Sequence, residues 1–219
     1  MNRLTRIILA TVAALLVSTG MLSAASVKPL PDPSADVPAV KGKQTAVLAG
    51  GCFWCTEAVF EELAGVQKVV SGYAGGSADQ AHYEMVGSGK TGHAEAIQIT
   101  YDPSKISYGT LLKVFFAAAH DPTTLDRQGP DWGKQYRSEI FAVNAEQNSV
   151  SEAYIKQLND AHTFSTPIVT KLSLLKNFYS AEEYHQDFVK RNPNHPYVVQ
   201  NSRPKIEKVR KLFPELLKK

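Results

Sequence analysis

Cys52 and Cys55 are the two cysteines of a 219-residue chain, and they stand three positions apart in Gly50-Gly51-Cys52-Phe53-Trp54-Cys55. A thiol pair at that spacing suits redox exchange or metal ligation, whereas a lone free cysteine is more often a small buried hydrophobe. Other residue types in the chain could serve a reaction at sulfur. Glu95 falls in residues 94–101, where the alternation puts it on the same face as Ile97 and Ile99. A carboxylate on the apolar face of a strand is unusual, because burying it unpaired is expensive. Tyr83 and Tyr136 each carry a phenol able to donate a hydrogen bond, and Asp131 could orient one of them. Phe53 and Trp54 could form an apolar wall beside Cys52. Each has an ordinary alternative: the tyrosines as core aromatics with exposed hydroxyls, the aspartate as a turn residue. Spacing alone does not bring them together.

The elements that must position these residues follow from periodicity. Residues 45–49 are apolar and read as a short buried strand, and residues 56–63 set Val59, Phe60 and Leu63 at helical spacing. The cysteines therefore sit where a strand turns through two glycines into a helix. Backbone N–H groups at a helix start favour negative charge, so a thiol there is easier to ionise, and Cys52 is the candidate nucleophile. Further strands are expected over residues 67–74, 94–101, 136–143 and 167–175. Helical segments are expected over 81–86, 108–119 (capped by Ser107), 145–158, 181–189 and 204–219. A long polar loop, residues 123–135, holds Asp131 and Trp132, and loops of that length in a compact domain are usually functional or disordered. The order predicts an α+β fold: a mixed sheet with a split βαβ (ferredoxin-like) core, helices on one face, long loops and a C-terminal helix.

Residues 1–25 have the plan of a secretory signal peptide: Arg3 and Arg6, an apolar run over 7–17, then small residues with a cleavage site at Ser23-Ala24-Ala25. The apolar run is shorter than the roughly 20 residues that span a bilayer. The mature protein is thus expected to be exported, periplasmic or secreted. Residues 26–43 contain Pro29, Pro31, Pro33 and Pro38 and read as an extended linker, leaving 44–219 as a single catalytic domain. Losing Arg3 and Arg6 with no acid takes the formal charge from +3 to +1, which gives no reason to expect nucleic acid or an anionic membrane as partner. A monomer is the expected state.

Five stretches resemble the A-type peptide-methionine sulfoxide reductases: Gly-Cys-Phe-Trp-Cys-Thr-Glu at 51–57, Thr-Gly-His-Ala-Glu at 91–95, His-Asp-Pro-Thr-Thr at 120–124, Arg-Gln-Gly-Pro-Asp-Trp-Gly-Lys-Gln-Tyr-Arg-Ser at 127–138 and Ala-Glu-Glu-Tyr-His-Gln at 181–186. The resemblance covers about residues 44–195 in the family's order. It implies that Cys52 attacks the sulfur of methionine S-sulfoxide, free or in a protein, and that Phe53 and Trp54 hold the methyl group. It implies further that Glu95, Tyr83 and Tyr136 bind the sulfoxide oxygen, with Asp131 in the same hydrogen-bonded shell. No bound cofactor is implied, only an external thiol reductant of the thioredoxin type or similar. On physical grounds Glu95 should be protonated so that it can donate to that oxygen, and Cys52 should have a depressed pKa or ionise as the oxygen takes a proton.

Many members of that family carry recycling cysteines in a C-terminal tail; here none follows Cys55. Cys55 is the internal candidate for resolving a Cys52 sulfenic acid, the alternative being an external thiol. Two rivals to the whole reading are weaker. A thioredoxin-like oxidoreductase would not need the bulky Phe-Trp between its cysteines. A zinc module would need paired ligands, and His82, His93, His120, His162, His185 and His195 are not so spaced. His185 reads as a hydrogen-bonded structural histidine.

Overall fold

The apolar run ahead of the cysteines forms strand β1 (Gln44–Gly50), and helix α1 (Phe53–Glu61) begins at the cysteines themselves, earlier than the periodicity of residues 56–63 suggests. The early start has a tertiary cause: the free N–H of Phe53 in the first turn donates to the Glu95 carboxylate at 3.1 Å, a cap brought in from a distant strand. The structure, a computed structural model, describes residues 30–38 and 40–219. The expected signal peptide lies outside the described residues. Among them, no helix is long and apolar enough to cross a membrane.

The chain continues through β2 (Val66–Ala74), a short helix α2 (Tyr83–Gly87), β3 (Ala94–Tyr101) and α3 (Tyr108–Val114), which runs on as a π-helical turn over Phe115–Ala119. Next come a hairpin of β4 (Arg127–Gln128) and β5 (Asp131–Trp132), then β6 (Ser138–Ala142), α4 (Ala145–Asp160), β7 (Lys171–Leu174) and β8 (Phe178–Ser180). Helices α5 (Phe188–Arg191) and α6 (Arg203–Leu212) close the chain, with a π-helical turn, Val198–Ser202, leading into the second.

Six strands form one sheet in the order β7-β6-β1-β3-β2-β8. Its centre, β6-β1-β3-β2, is antiparallel throughout; α1 carries the chain from β1 to β2 past β3, and α3 carries it from β3 to β6 past β1. That is the split βαβ plan expected from the order of elements. Strand β7 adds to β6 in parallel and β8 to β2 antiparallel. The alternation of β3 holds: Ile97 and Ile99 enter the main core with Leu48, Phe53, Phe60, Leu111, Phe115 and Ile140, and Glu95 shares their face. On the reverse face Val47, Ala49, Ala94, Ala96 and Phe141 make a second, smaller cluster. Beside it lies a buried ion pair, Arg137 Nε to Glu139 Oε2 at 2.6 Å, with both side chains less than a tenth exposed.

Several boundaries differ from the periodicity, each for a local reason. The C-terminal helix, expected to run to residue 219, ends at Leu212 because Phe213 precedes Pro214, and a residue before proline is pushed out of helical geometry. Residues 134–136 form a 3₁₀ turn, so Tyr136 precedes strand β6 instead of opening it. The helix expected over 181–189 is split, because Asp187 adopts the left-handed conformation at φ 52° between the 3₁₀ turn Glu183–His185 and α5. The polar loop 123–135 is ordered as the β4–β5 hairpin. The strand expected over 167–175 is confined to β7, and β8 has no counterpart in the expectations. Residues 30–38 and 40–43 carry no regular structure before β1, yet the segment reaches α3 and α4: the Pro31 carbonyl accepts from Tyr154 Oη, and Asp36 from the Gly109 N–H, each at 2.8 Å.

Candidate active site

The turn from β1 into α1 depends on Gly51. Its φ is 85°, a left-handed conformation that side chains rarely adopt, and a Cβ there would lie 2.5 Å from Gln128 Cβ. Gln128 in turn ties the hairpin to this turn and to the residues after the π-helical turn, accepting the Asp121 N–H at 3.0 Å and donating to the Asp121 carbonyl at 2.6 Å. Across the hairpin, Gln128 pairs with Asp131. Close packing of glycine against Gln128 thus brings the loop aspartate to the cysteine.

A cavity of about 180 Å³ results, lined by Cys52, Phe53, Trp54, Tyr83, Glu95, Asp131, Tyr136 and Tyr197. Seven of these are the residues singled out in the sequence, drawn from four separate stretches. Tyr197 was not foreseen. It follows a proline-containing loop with no periodicity, and its aromatic ring was the one available signal. A larger groove, about 650 Å³, runs between residues 30–31 and α6, but its walls carry neither cysteine nor carboxylate. Among the described residues no group of three or more His, Cys, Asp or Glu is arranged to hold a metal ion.

Glu95 is 3 % exposed. Burial pushes its carboxyl up to about 8, against the Phe53 N–H that favours the anion, with the negative charges of Asp131 and Cys55 adding to the rise. At neutral pH the group holds its proton and can donate it. Tyr83 and Tyr136 are likewise raised, chiefly by burial, and remain phenols.

Of the two expectations for Cys52, a depressed pKa is not met, which leaves ionisation as the sulfoxide oxygen takes a proton. Burial, together with Cys55 and Glu95, raises Cys52 well above a free thiol. Cys52 is the N-cap of α1, but its side chain takes no N–H from the first turn, and the N–H of Phe53 is directed to Glu95 instead. Cys55 is brought down to about 6, first by the hydrogen bond from the Cys52 thiol, against its burial, and further by the charge of Lys205 and the hydroxyls of Ser202 and Tyr197. It is 1 % exposed and lies behind Cys52, outside the cavity lining, with Ser202 Oγ at 3.0 Å from its sulfur. The surroundings thus disfavour negative charge on Cys52 and favour it on Cys55.

Asp131 does not orient Tyr83 or Tyr136. Its Oδ2 accepts from Tyr197 Oη at 2.5 Å, and Tyr197 also lies within hydrogen-bonding reach of both sulfurs. Tyr83 is placed by Glu182, which accepts the Tyr83 N–H and the Tyr73 hydroxyl at 2.8 Å each. The Trp54 indole is fixed on two sides: Nε1 donates to His185 Nδ1 at 3.1 Å, and the ring stacks on Phe188 with centroids 3.7 Å apart and planes 7° from parallel. His185 is thus a structural histidine, as its sequence context suggested. The arrangement offers a small apolar recess beside a sulfur, with a neutral acid and two phenols facing it.

The match to known proteins agrees with this geometry. A family model described as "Peptide methionine sulfoxide reductase" matches residues 44–217. A protein of Mesorhizobium japonicum named peptide methionine sulfoxide reductase MsrA 2 is 54% identical over 181 residues, 83% of this chain and 93% of its own. One from Haloquadratum walsbyi, named peptide methionine sulfoxide reductase MsrA, is 56% identical over 174 residues, 80% of this chain and 98% of its own. Among solved structures, Mxr1 from Saccharomyces cerevisiae in reduced form superposes with a TM-score of 0.64 at 32% identity, covering 74% of this chain and 92% of that one. Methionine sulfoxide reductase A of Corynebacterium diphtheriae gives 0.60 at 32% identity, covering 77% and 85%. With its motifs, fold and cavity in agreement with these relatives, the chain belongs to the peptide methionine sulfoxide reductase family.

Proposed function

We propose that this protein reduces methionine S-sulfoxide, free and in proteins, to methionine, with Cys52 as nucleophile, and so repairs oxidised proteins. What supports the reading most is that a nucleophilic sulfur, a protonated carboxyl and two phenols line one cavity with an aromatic wall. A sulfoxide sulfur is a poor electrophile until its oxygen is protonated or strongly hydrogen-bonded. Glu95, neutral below about 8, is the proton donor to that oxygen, and Tyr83 and Tyr136 donate hydrogen bonds to it. Phe53 and Trp54 bound the recess that takes the methyl group. As Cys52 attacks, it ionises while the sulfoxide oxygen takes a proton, and Asp131 acts through Tyr197. The protonated oxygen passes from the methionine sulfur to the Cys52 sulfur as the bond between the two sulfurs breaks, which releases methionine and leaves Cys52 as a sulfenic acid.

Cys55 then resolves the sulfenic acid as the internal thiol, and an external dithiol of the thioredoxin type regenerates the pair. The protein works as a monomer after export by the signal sequence in residues 1–25, which makes a dedicated electron supply necessary in an oxidising compartment.

The test is reduction of a methionine sulfoxide peptide, epimers separated, with dithiothreitol and then with thioredoxin. Consumption of the S epimer alone is expected; activity confined to the R epimer overturns the assignment. Thiol counting after one equivalent of sulfoxide checks the second step. Loss of both thiols is expected, and loss of one with a trappable sulfenic acid rejects Cys55 as the resolving group.

A further inference from the structure

Ser202 closes the π-helical turn Val198–Ser202 and runs on in helical conformation, at φ −88° and ψ −47°, into α6. The residue is 0 % exposed. A buried hydroxyl is costly unless it is paired, and this one lies 3.0 Å from Cys55 Sγ. The backbone that brings it there is the π-helical turn Val198–Ser202, a wide turn of the kind found at functional sites, which packs against α1. Tyr197 precedes that turn and Lys205 follows it, three residues after Ser202 on the same side of the helix. One short C-terminal segment thus supplies three groups that act on the thiols.

We propose that Ser202 is a positioning residue for the second step: its hydroxyl donates to the Cys55 sulfur and holds it as a thiolate directed at Cys52. The proposal rests on Cys55 being the resolving thiol. The ionisable groups facing Cys55 are the Cys52 thiol, Tyr197, Lys205 and Glu95. Only Lys205 among them carries positive charge, and the Ser202 hydroxyl adds to it as a neutral donor 3.0 Å from the sulfur. In the step itself, an electron pair of Cys55 sulfur forms the S–S bond to Cys52 while the Cys52 S–O bond breaks. The hydroxide leaves as water with the proton that Cys55 gave up. Overall a thiol and a sulfenic acid give a disulfide and one water, and the oxidising equivalents are those already taken from the sulfoxide.

Single-turnover reduction of an S-sulfoxide peptide, quenched over time between about pH 5 and 9 and read both as methionine formed and as free thiols, tests this in wild type, Ser202→Ala and Ser202→Thr. The ultraviolet absorbance of the thiolate, followed with pH, gives the Cys55 ionisation midpoint without needing access to the buried sulfur. If wild type loses only one thiol, the resolving role fails before Ser202 is in question. If it loses both, Ser202→Ala should form methionine within about twofold of wild type but close the disulfide roughly fivefold or more slowly, with the Cys55 midpoint moved up. Ser202→Thr, which keeps the hydroxyl, should restore both. A disulfide rate and midpoint unchanged in Ser202→Ala, or an equal slowing of both steps, overturns the proposal. Thermal melting of each variant separates these outcomes from a loss of fold.

Discussion

The Phe53 N–H donates to Glu95 Oε2 at 3.1 Å across 42 residues of sequence, so one bond caps helix α1 and anchors the buried acid. Glu95 also lines the cavity, and the bond joins the element that carries the nucleophile to the strand that carries the proton. Removing the proton while keeping the bond is possible: Glu95→Gln retains an oxygen to accept the Phe53 N–H but has no acidic proton. Its turnover should fall by roughly 10²–10⁴ with the fold intact. Steady-state kinetics alongside a thermal melt decide the point, and activity near wild type removes Glu95 from the proton-donor role.

Turnover should also depend on pH in a definite direction. The acid form of Glu95 is the active one, and burial places its titration at about 8, so kcat/KM for an S-sulfoxide peptide should decline as pH rises through about 8. A profile still rising beyond pH 9 contradicts a protonated Glu95.

Stability should follow the same sign. Glu57, 2 % exposed on α1, is also raised by burial to about 8, from an ordinary value of 4.5. The folded state therefore binds more protons than the unfolded state between about 4.5 and 8. The stability from neutral Glu57 and Glu95 is full below the unfolded value and is lost as pH rises through the folded one. Urea unfolding should give a higher midpoint at pH 6 than at pH 9, and Glu57→Gln should flatten that difference. An unchanged slope in the variant would exclude Glu57 as a source.

Gly51→Ala should be costly in two ways at once. The left-handed φ strains any side chain, and the new Cβ meets Gln128 at 2.5 Å. A destabilisation of about 1–3 kcal/mol is expected, with a drop in turnover beyond what Tm alone explains, because the displaced hairpin carries Asp131. Gln128→Gly in the same background removes the Cβ that is struck but not the strain, and should recover part of the activity.

On the opposite face of the sheet, Glu139→Ala leaves the Arg137 guanidinium buried without its carboxylate. Such a break costs about 3–5 kcal/mol, far more than a surface pair. Denaturant unfolding measures it, and a change within experimental scatter would mean that the Gly92, His93 and Lys134 carbonyls, which Arg137 also reaches, suffice.

Much of this was legible in the sequence because it rests on local rules. Period-two alternation in 94–101 identified β3 with its bounds and put Glu95 on the core face, since side chains of a strand alternate regardless of what packs on them. The glycine pair before Cys52 marked the turn, and the order of elements marked the split βαβ core. Residues with long motifs of the family, from Cys52 to Asp131, could be assigned together. What a local rule does not reach is which donor meets which acceptor. Tyr197 sits in no periodic element, and nothing in its neighbours points to Asp131 or to the sulfurs. The ionisation of the thiols was likewise decided by packing: a helix start would lower Cys52, but burial and the direction of the Phe53 N–H toward Glu95 transfer the advantage to Cys55.

The amino-acid order by itself thus determined the strand–turn–helix that presents Cys52, the face on which Glu95 is buried, and the family to which the motifs belong. Only the tertiary structure decided that Tyr197 holds Asp131, that Glu182 and His185 fix Tyr83 and Trp54, and that Ser202 turns its hydroxyl to Cys55. Periodicity and turn chemistry act over a few residues. Hydrogen bonds and desolvation act over a few ångströms, between residues that only folding brings together.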